Sequence, residues 1–208
     1  MMRNVVLGMM TTLNGRLDQP FEWVDGVGDD LYRQINDNAK SSDTLLVGRI
    51  TYDEMVAYWP GALASGEGTE SNRAMARHMH DTEKLVISRS GARALQPWHN
   101  SRQIVADSDG ALVQVITDLK AREGGDIHLS GGAGLAQSMV RLGLVDMFNL
   151  FVFPTVSPGM AWFGDVADKR DMDLIRVQAF ESGVVGLSYR VRGLTDLGAP
   201  VRFTELLT

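Results

Sequence analysis

The chain is punctuated by apolar runs too short for helices, separated by longer stretches of helical periodicity, and this alternation narrows the possible folds more than any other feature. The runs include Val5 to Met10, Thr44 to Gly48, Lys84 to Ser88 and Ile127 to Ser130, with Gln103 to Val105 a shorter one. A strand that is apolar on both faces must be covered on both, and the helices between the strands provide the cover. The pattern specifies an α/β protein. The segment Asp146 to Pro154 carries Met147, Phe148, Leu150, Phe151, Val152 and Phe153 with almost no interruption, which places it centrally in the sheet. Two last runs, about Leu174 to Phe180 and Val184 to Arg192, are joined by Glu181-Ser182-Gly183 alone. That link can close a hairpin but cannot cross a sheet, so the sheet is mixed and ends in an antiparallel hairpin.

The intervening segments read as helices with recognisable ends. Asp29 or Asp30 can cap a helix running to about Lys40, with Leu31, Ile35 and Ala39 as its apolar stripe. A second helix opens at Arg49, runs through Met55 and is stopped by Trp59-Pro60-Gly61. A Gly/Ala/Ser-rich loop follows from Gly61 to Thr69. Further helices are expected over Glu70 to His80, Ala111 to Arg122 and Leu135 to Leu142, and Arg16 to Gly28 reads as a long irregular loop. With 208 residues the chain fits one domain.

Charge and composition exclude several classes of function. A net charge of −6 argues against a general nucleic-acid or membrane-surface binder, so any phosphate site must be local. No apolar run approaches the roughly 18 residues of a membrane span, and Val5 to Met10 reads as a first strand rather than a signal peptide. The chain has no cysteine, which rules out disulfides and Cys-ligated zinc and leaves the cytoplasm as the default compartment. His78 and His80 diverge on a helix, His99 and His128 are isolated, and no metal site is expected.

Three strand-to-helix or strand-to-loop junctions can carry ligand chemistry. The first is Ser130-Gly131-Gly132-Ala133-Gly134, where glycines admit close approach to the backbone and a helix start favours a pyrophosphate. In the second, Gly48-Arg49-Ile50-Thr51, a guanidinium and a hydroxyl stand beside another helix start. The third is Ser88-Arg89. Parallel strands gather their C-terminal ends on one edge, so the three can converge on one ligand. For proton handling the acid pair Asp29-Asp30 is the best candidate, because a carboxyl group in an apolar pocket has a raised pKa.

Taken together, Thr12-Leu13-Asn14-Gly15, Asp29-Asp30-Leu31, Leu46 to Tyr52, Val86 to Arg89, Leu129 to Ala133 and Gly143-Leu144-Val145-Asp146 resemble the dihydrofolate-reductase-like superfamily. The branch they are most similar to is the C-terminal reductase domain of the bifunctional riboflavin-biosynthesis deaminase-reductase. The resemblance implies a mixed, mainly parallel central sheet flanked by helices, NADPH as cofactor, and hydride transfer to a C=N or C=O carbon of a small heterocycle. That substrate would be pterin-like or a ribitylamino-pyrimidine phosphate. It implies Gly48, Arg49 and Thr51 at the adenosine-side phosphates, Ser88 and Arg89 at the 2′-phosphate, and Gly131, Gly132, Ala133 and Gly134 at the pyrophosphate. Gly8 to Met10 and the Thr12 to Gly15 turn would lie by the nicotinamide, with Asp30 or Asp29 facing the substrate. Arg16, Arg73 or Arg77 would supply a cation for a phosphorylated substrate. Dimeric relatives imply a homodimer. The alternative is a dinucleotide-binding module without catalysis.

Overall fold

A computed structural model describes residues 2–161, 166 and 169–193. Its strands are β1 (Val5–Thr12), β2 (Ser42–Gly48), β3 (Glu83–Ser88), β4 (Ser101–Val105), β5 (Asp126–Leu129), β6 (Met147–Phe153), β7 (Met172–Ala179) and β8 (Val185–Val191). Its helices are α1 (Asp29–Ala39), α2 (Arg49–Ser65), α3 (Glu70–Asp81), α4 (Asp109–Lys120) and α5 (Ala133–Arg141). The strands form one sheet in the order β4-β3-β2-β5-β1-β6-β8-β7. β1 to β6 pair in parallel, and β8 runs antiparallel to both β6 and β7. The expected dihydrofolate-reductase-like architecture is therefore present: a mixed, mainly parallel sheet between helices, closed by an antiparallel hairpin.

Each face of the sheet buries its own set of side chains. On one, Val5, Leu7, Leu46, Leu85, Ile127, Leu129 and Phe148 pack against Leu112, Ile116 and Leu119 of α4 and Ala136 and Met139 of α5. On the other, Leu45 meets Met75 and Met79 of α3, while Phe151 and Phe153 meet Leu31 of α1 and Trp23 of the connecting loop. β6 lies between β1 and β8, inside the sheet, as its apolar sequence, broken only by Asn149, requires. No helix among the described residues is long and apolar enough to cross a membrane.

Two expectations about helix ends need correcting. α2 does not stop at Trp59-Pro60-Gly61 but continues to Ser65, so the first part of the supposed loop is helical. Pro60 removes one backbone donor without forcing a reversal. The reversal comes at Gly66, whose φ of 63° is accessible to glycine at little cost. In α1 the N-cap is Gly28 rather than either aspartate, and Asp29 and Asp30 occupy the first turn, where their charge opposes the positive end of the helix dipole.

Candidate functional site

The C-terminal ends of β2, β3 and β5 open onto one cavity of about 1050 Å³. Gly48, Arg49, Thr51, Ser88, Arg89, Gly131, Gly132, Ala133 and Gly134 all line it. Two helix starts meet on its rim. Gly48 is the N-cap of α2 and Gly132 that of α5, and neither helix has a side-chain cap or an acid in its first turn. By contrast α3 and α4 are capped by Thr69 and Ser108 and carry Glu70 and Asp109. The leading N–H groups of α2 and α5 therefore lack a side-chain acceptor and present the positive ends of two helix dipoles to the cavity.

Glycine is needed where these two junctions touch. The Gly48 N–H donates to the Gly131 carbonyl at 2.8 Å. A Cβ on Gly132 would stand 2.6 Å from Thr51 Oγ1, and one on Gly48 would stand 3.3 Å from the Gly132 nitrogen. Gly134 has open space where a side chain would begin. The cradle thus has both the room and the donors for a pyrophosphate.

The arginines of the rim already have partners. Arg49 donates to the carbonyls of Arg93 and Ala94 at 3.0 and 2.5 Å, so it clamps the loop after β3 as well as facing the cavity. Arg89 pairs with Asp109 at 3.1 Å in a bridge about half exposed on both sides, an interaction weak enough to exchange for a phosphate. Ser88 Oγ donates to the Ser90 carbonyl and accepts from Gln103 Nε2.

The opposite half of the cavity lies between the sheet, α1 and α3. Gly8, Met10, Asn149, Phe151 and His128 line its sheet side, with Tyr32, Ile35, Met75, His78 and Met79 from the two helices. Burial, helped by the nearby His78, pushes the His128 imidazole down to about 4. His78 is also held below its usual value, by burial and then by Lys84. Burial drives Tyr32 upward. Burial alone would raise Asp18, another lining residue, but the Met160 N–H and the Arg16 guanidinium outweigh it and hold that carboxyl low.

Asp29 and Asp30 are not among the lining residues. Asp30 accepts from the Leu31 N–H at 2.8 Å and the Glu181 N–H at 3.1 Å, which ties α1 to the C-terminal hairpin. Asp29 pairs with Arg33 at 2.5 Å. The Thr69 hydroxyl, with Ser71 and Arg33, holds its carboxyl below the usual range, the reverse of the raised value expected from an apolar pocket. Gly8 to Met10 line the cavity but the Thr12 to Gly15 turn does not, its Asn14 being bonded to Ser157. Arg16, Arg73 and Arg77 are also outside the lining: Arg16 is tied to Asp18, Gln19, Glu22 and Ser157, and the other two to Glu70.

Sequence reasoning missed His128 and Asn149. They face the cavity only because β5, β1 and β6 lie side by side in a particular register, and no local motif marks either residue.

A family profile described as the RibD C-terminal domain matches residues 3–185. An uncharacterized protein of Bacillus subtilis, YyaP, is 29% identical over 92% of this chain and 96% of its own length. A putative riboflavin biosynthesis protein from Shewanella superposes with a TM-score of 0.68 at 18% identity, covering 92% of this chain and 99% of that one. Dihydrofolate reductase from Enterococcus faecalis, solved with NADP(H), superposes with a TM-score of 0.57 at 10% identity, covering 91% and 96%.

Proposed function

Because the chain belongs to the RibD C-terminal domain family, a family of reductase-like domains, we propose that it is an NADPH-dependent reductase of a small heterocyclic substrate. The observation that carries this reading is the pair of uncapped, acid-free helix starts at Gly48 and Gly132 meeting on one cavity rim. When bound, NADPH would supply hydride to a C=N or C=O carbon while the adjacent nitrogen or oxygen takes a proton. Gly131 to Gly134 hold the pyrophosphate through N–H groups, Gly48, Arg49 and Thr51 hold the adenosine-side phosphates, and Ser88 and Arg89 hold the 2′-phosphate. The chain's main contribution is orientation, which can lower a barrier by about 7 to 11 kcal/mol.

We assign the proton to water entering the cavity rather than to Asp29 or Asp30, since neither carboxylate lines it. A cytoplasmic enzyme suits a chain without cysteine. A homodimer through the hairpin is part of the same reading, with Leu174, Ile175 and Val177 exposed on the edge strand β7. The second reading, a dinucleotide-binding module without catalysis, is favoured by the absence of the acid pair from the cavity lining. Steady-state NADPH oxidation with a panel of pterin and pyrimidine acceptors separates the two. Acceptor-dependent oxidation supports the reductase, and saturable NADPH binding with no acceptor consumed supports the module.

A further inference from the structure

We propose that the half of the cavity away from the glycine rim takes a flat, uncharged, phosphate-free nitrogen heterocycle whose polar edge is read by His128 and Asn149. The proposal rests on the reductase reading and narrows its substrate class. Two independent features of the cavity support it, one from polar groups that are present and one from cations that are absent among the described residues.

The polar groups flank Gly8 on the strands to either side of it. Asn149 on β6 is the register partner of Gly8 on β1. From the other neighbouring strand, β5, the His128 ring leans over the same glycine, so that a Cβ on Gly8 would stand 2.6 Å from Cε1 and 2.8 Å from Nε2. His128 is 7% exposed, lines the cavity, and has a fully buried Nδ1 with no hydrogen-bond partner among the described residues. The enclosed Nδ1 is out of a ligand's reach, so the ring meets the cavity through its other edge, Cε1 and Nε2, the atoms that lean over Gly8. Asn149 gives one end of its amide to Ser188, at 2.7 Å. Whichever way that amide is turned, Ser188 takes one end and leaves the other for the cavity. A neutral imidazole and a free amide end, on the two strands flanking β1 and lining one cavity with Phe151 and Met10, suit the donor and acceptor groups of a lactam or amidine edge. Burial keeps the imidazole uncharged at neutral pH, so it suits a neutral edge rather than an anion.

Among the described residues, no cation lines the cavity away from the cofactor rim, where a substrate phosphate would need one. The only arginines among the described lining residues are Arg49 and Arg89, both on the cofactor rim, and no lysine lines the cavity. The lining carboxylates are Asp18, in the loop after β1, and Glu54, on α2. A phosphate dianion in the half away from the rim would lose water without gaining a counter-charge, which an apolar site does not tolerate.

The test is equilibrium binding to the full chain saturated with NADP⁺, using as probes a ribosylaminouracil with and without its phosphate, and pterin. The unphosphorylated probes are expected to bind the unaltered protein about tenfold or more tighter than the phosphorylated one. His128→Phe and Asn149→Leu, which keep volume and lose polarity, should weaken the unphosphorylated probes roughly 10- to 100-fold. NADP⁺ affinity should stay within about twofold, because both residues lie away from the cradle. Equal or tighter binding of the phosphorylated probe overturns the inference, as does unchanged binding in two folded variants. If no probe binds while NADP⁺ does, the inference fails alone. If NADP⁺ does not bind either, the reductase reading fails with it. The phosphate comparison uses the unaltered protein, so it holds even where a variant fails to fold.

Discussion

A charge placed at the start of α5 should raise stability and lower cofactor affinity at the same time. Gly134 lies in the first turn of α5, exposed, with nothing within 4 Å of where a Cβ would stand, so Gly134→Asp fits without displacing a neighbour. The helix gains, because an acid in the first turn is favoured by about 0.3 to 1 kcal/mol and glycine is a poor helix former. The cradle loses. A carboxylate roughly 6 Å from a pyrophosphate charge costs between about 0.7 kcal/mol at the dielectric of water and about 2.8 kcal/mol at an effective value of 20. A half-open cavity lies between these limits, so NADPH dissociation should rise about 10-fold, with the effect reduced by salt. Gly134→Ala is the control, adding stability without charge and leaving affinity within about twofold. Thermal unfolding and NADPH titration calorimetry on the three proteins check this. If Gly134→Asp binds NADPH as tightly as the unaltered chain, or if the alanine variant loses as much affinity as the aspartate one, no pyrophosphate lies at this helix start.

Arg89→Ala should weaken NADPH about tenfold and leave NADH unchanged, because only the 2′-phosphate exchanges with Asp109 for the guanidinium; competitive titration of the two dinucleotides reads the difference. His128 gives a pH signature. Its folded value of about 4 lies below the ordinary 6.5, so the unfolded chain binds a proton the folded chain refuses. Its contribution to stability is complete above about pH 6.5 and falls by up to about 3 kcal/mol as pH drops towards 4. Urea unfolding between these limits should show a steeper loss for the unaltered protein than for His128→Phe, and parallel slopes would refute the assignment. Asp146 accepts from the Val5 N–H at 2.7 Å and from Lys120 at 2.6 Å while only 4% exposed. Asp146→Ala strands a lysine and a backbone donor, so denaturant unfolding should show a loss of about 3 kcal/mol.

The sheet was legible because its parallel strands are continuous apolar runs and the helices between them carry single stripes. Both are local patterns that survive without knowledge of the fold. The glycine rim was legible for a related reason: a strand running straight into Gly48-Arg49 or Gly131-Gly132 shows its uncapped helix start in the sequence. The end of α2 was not, since Pro60 resembles a stop although it removes only one donor. The direction of Asp29 and Asp30 was also hidden, being set by how α1 packs against α3 and the hairpin. His128 and Asn149 line one cavity across Gly8, whose missing side chain leaves room for the imidazole, on a strand far from both in sequence.

The cradle itself is tested most directly by amide chemical shifts of the isotope-labelled protein titrated with NADP⁺. The backbone N–H signals of Gly48, Thr51, Ser88 and Gly131 to Gly134 should move together along one saturable curve, one ligand per chain. Shifts confined to another part of the molecule, or movement at one of these junctions without the others, would mean that the three strand ends do not share a dinucleotide.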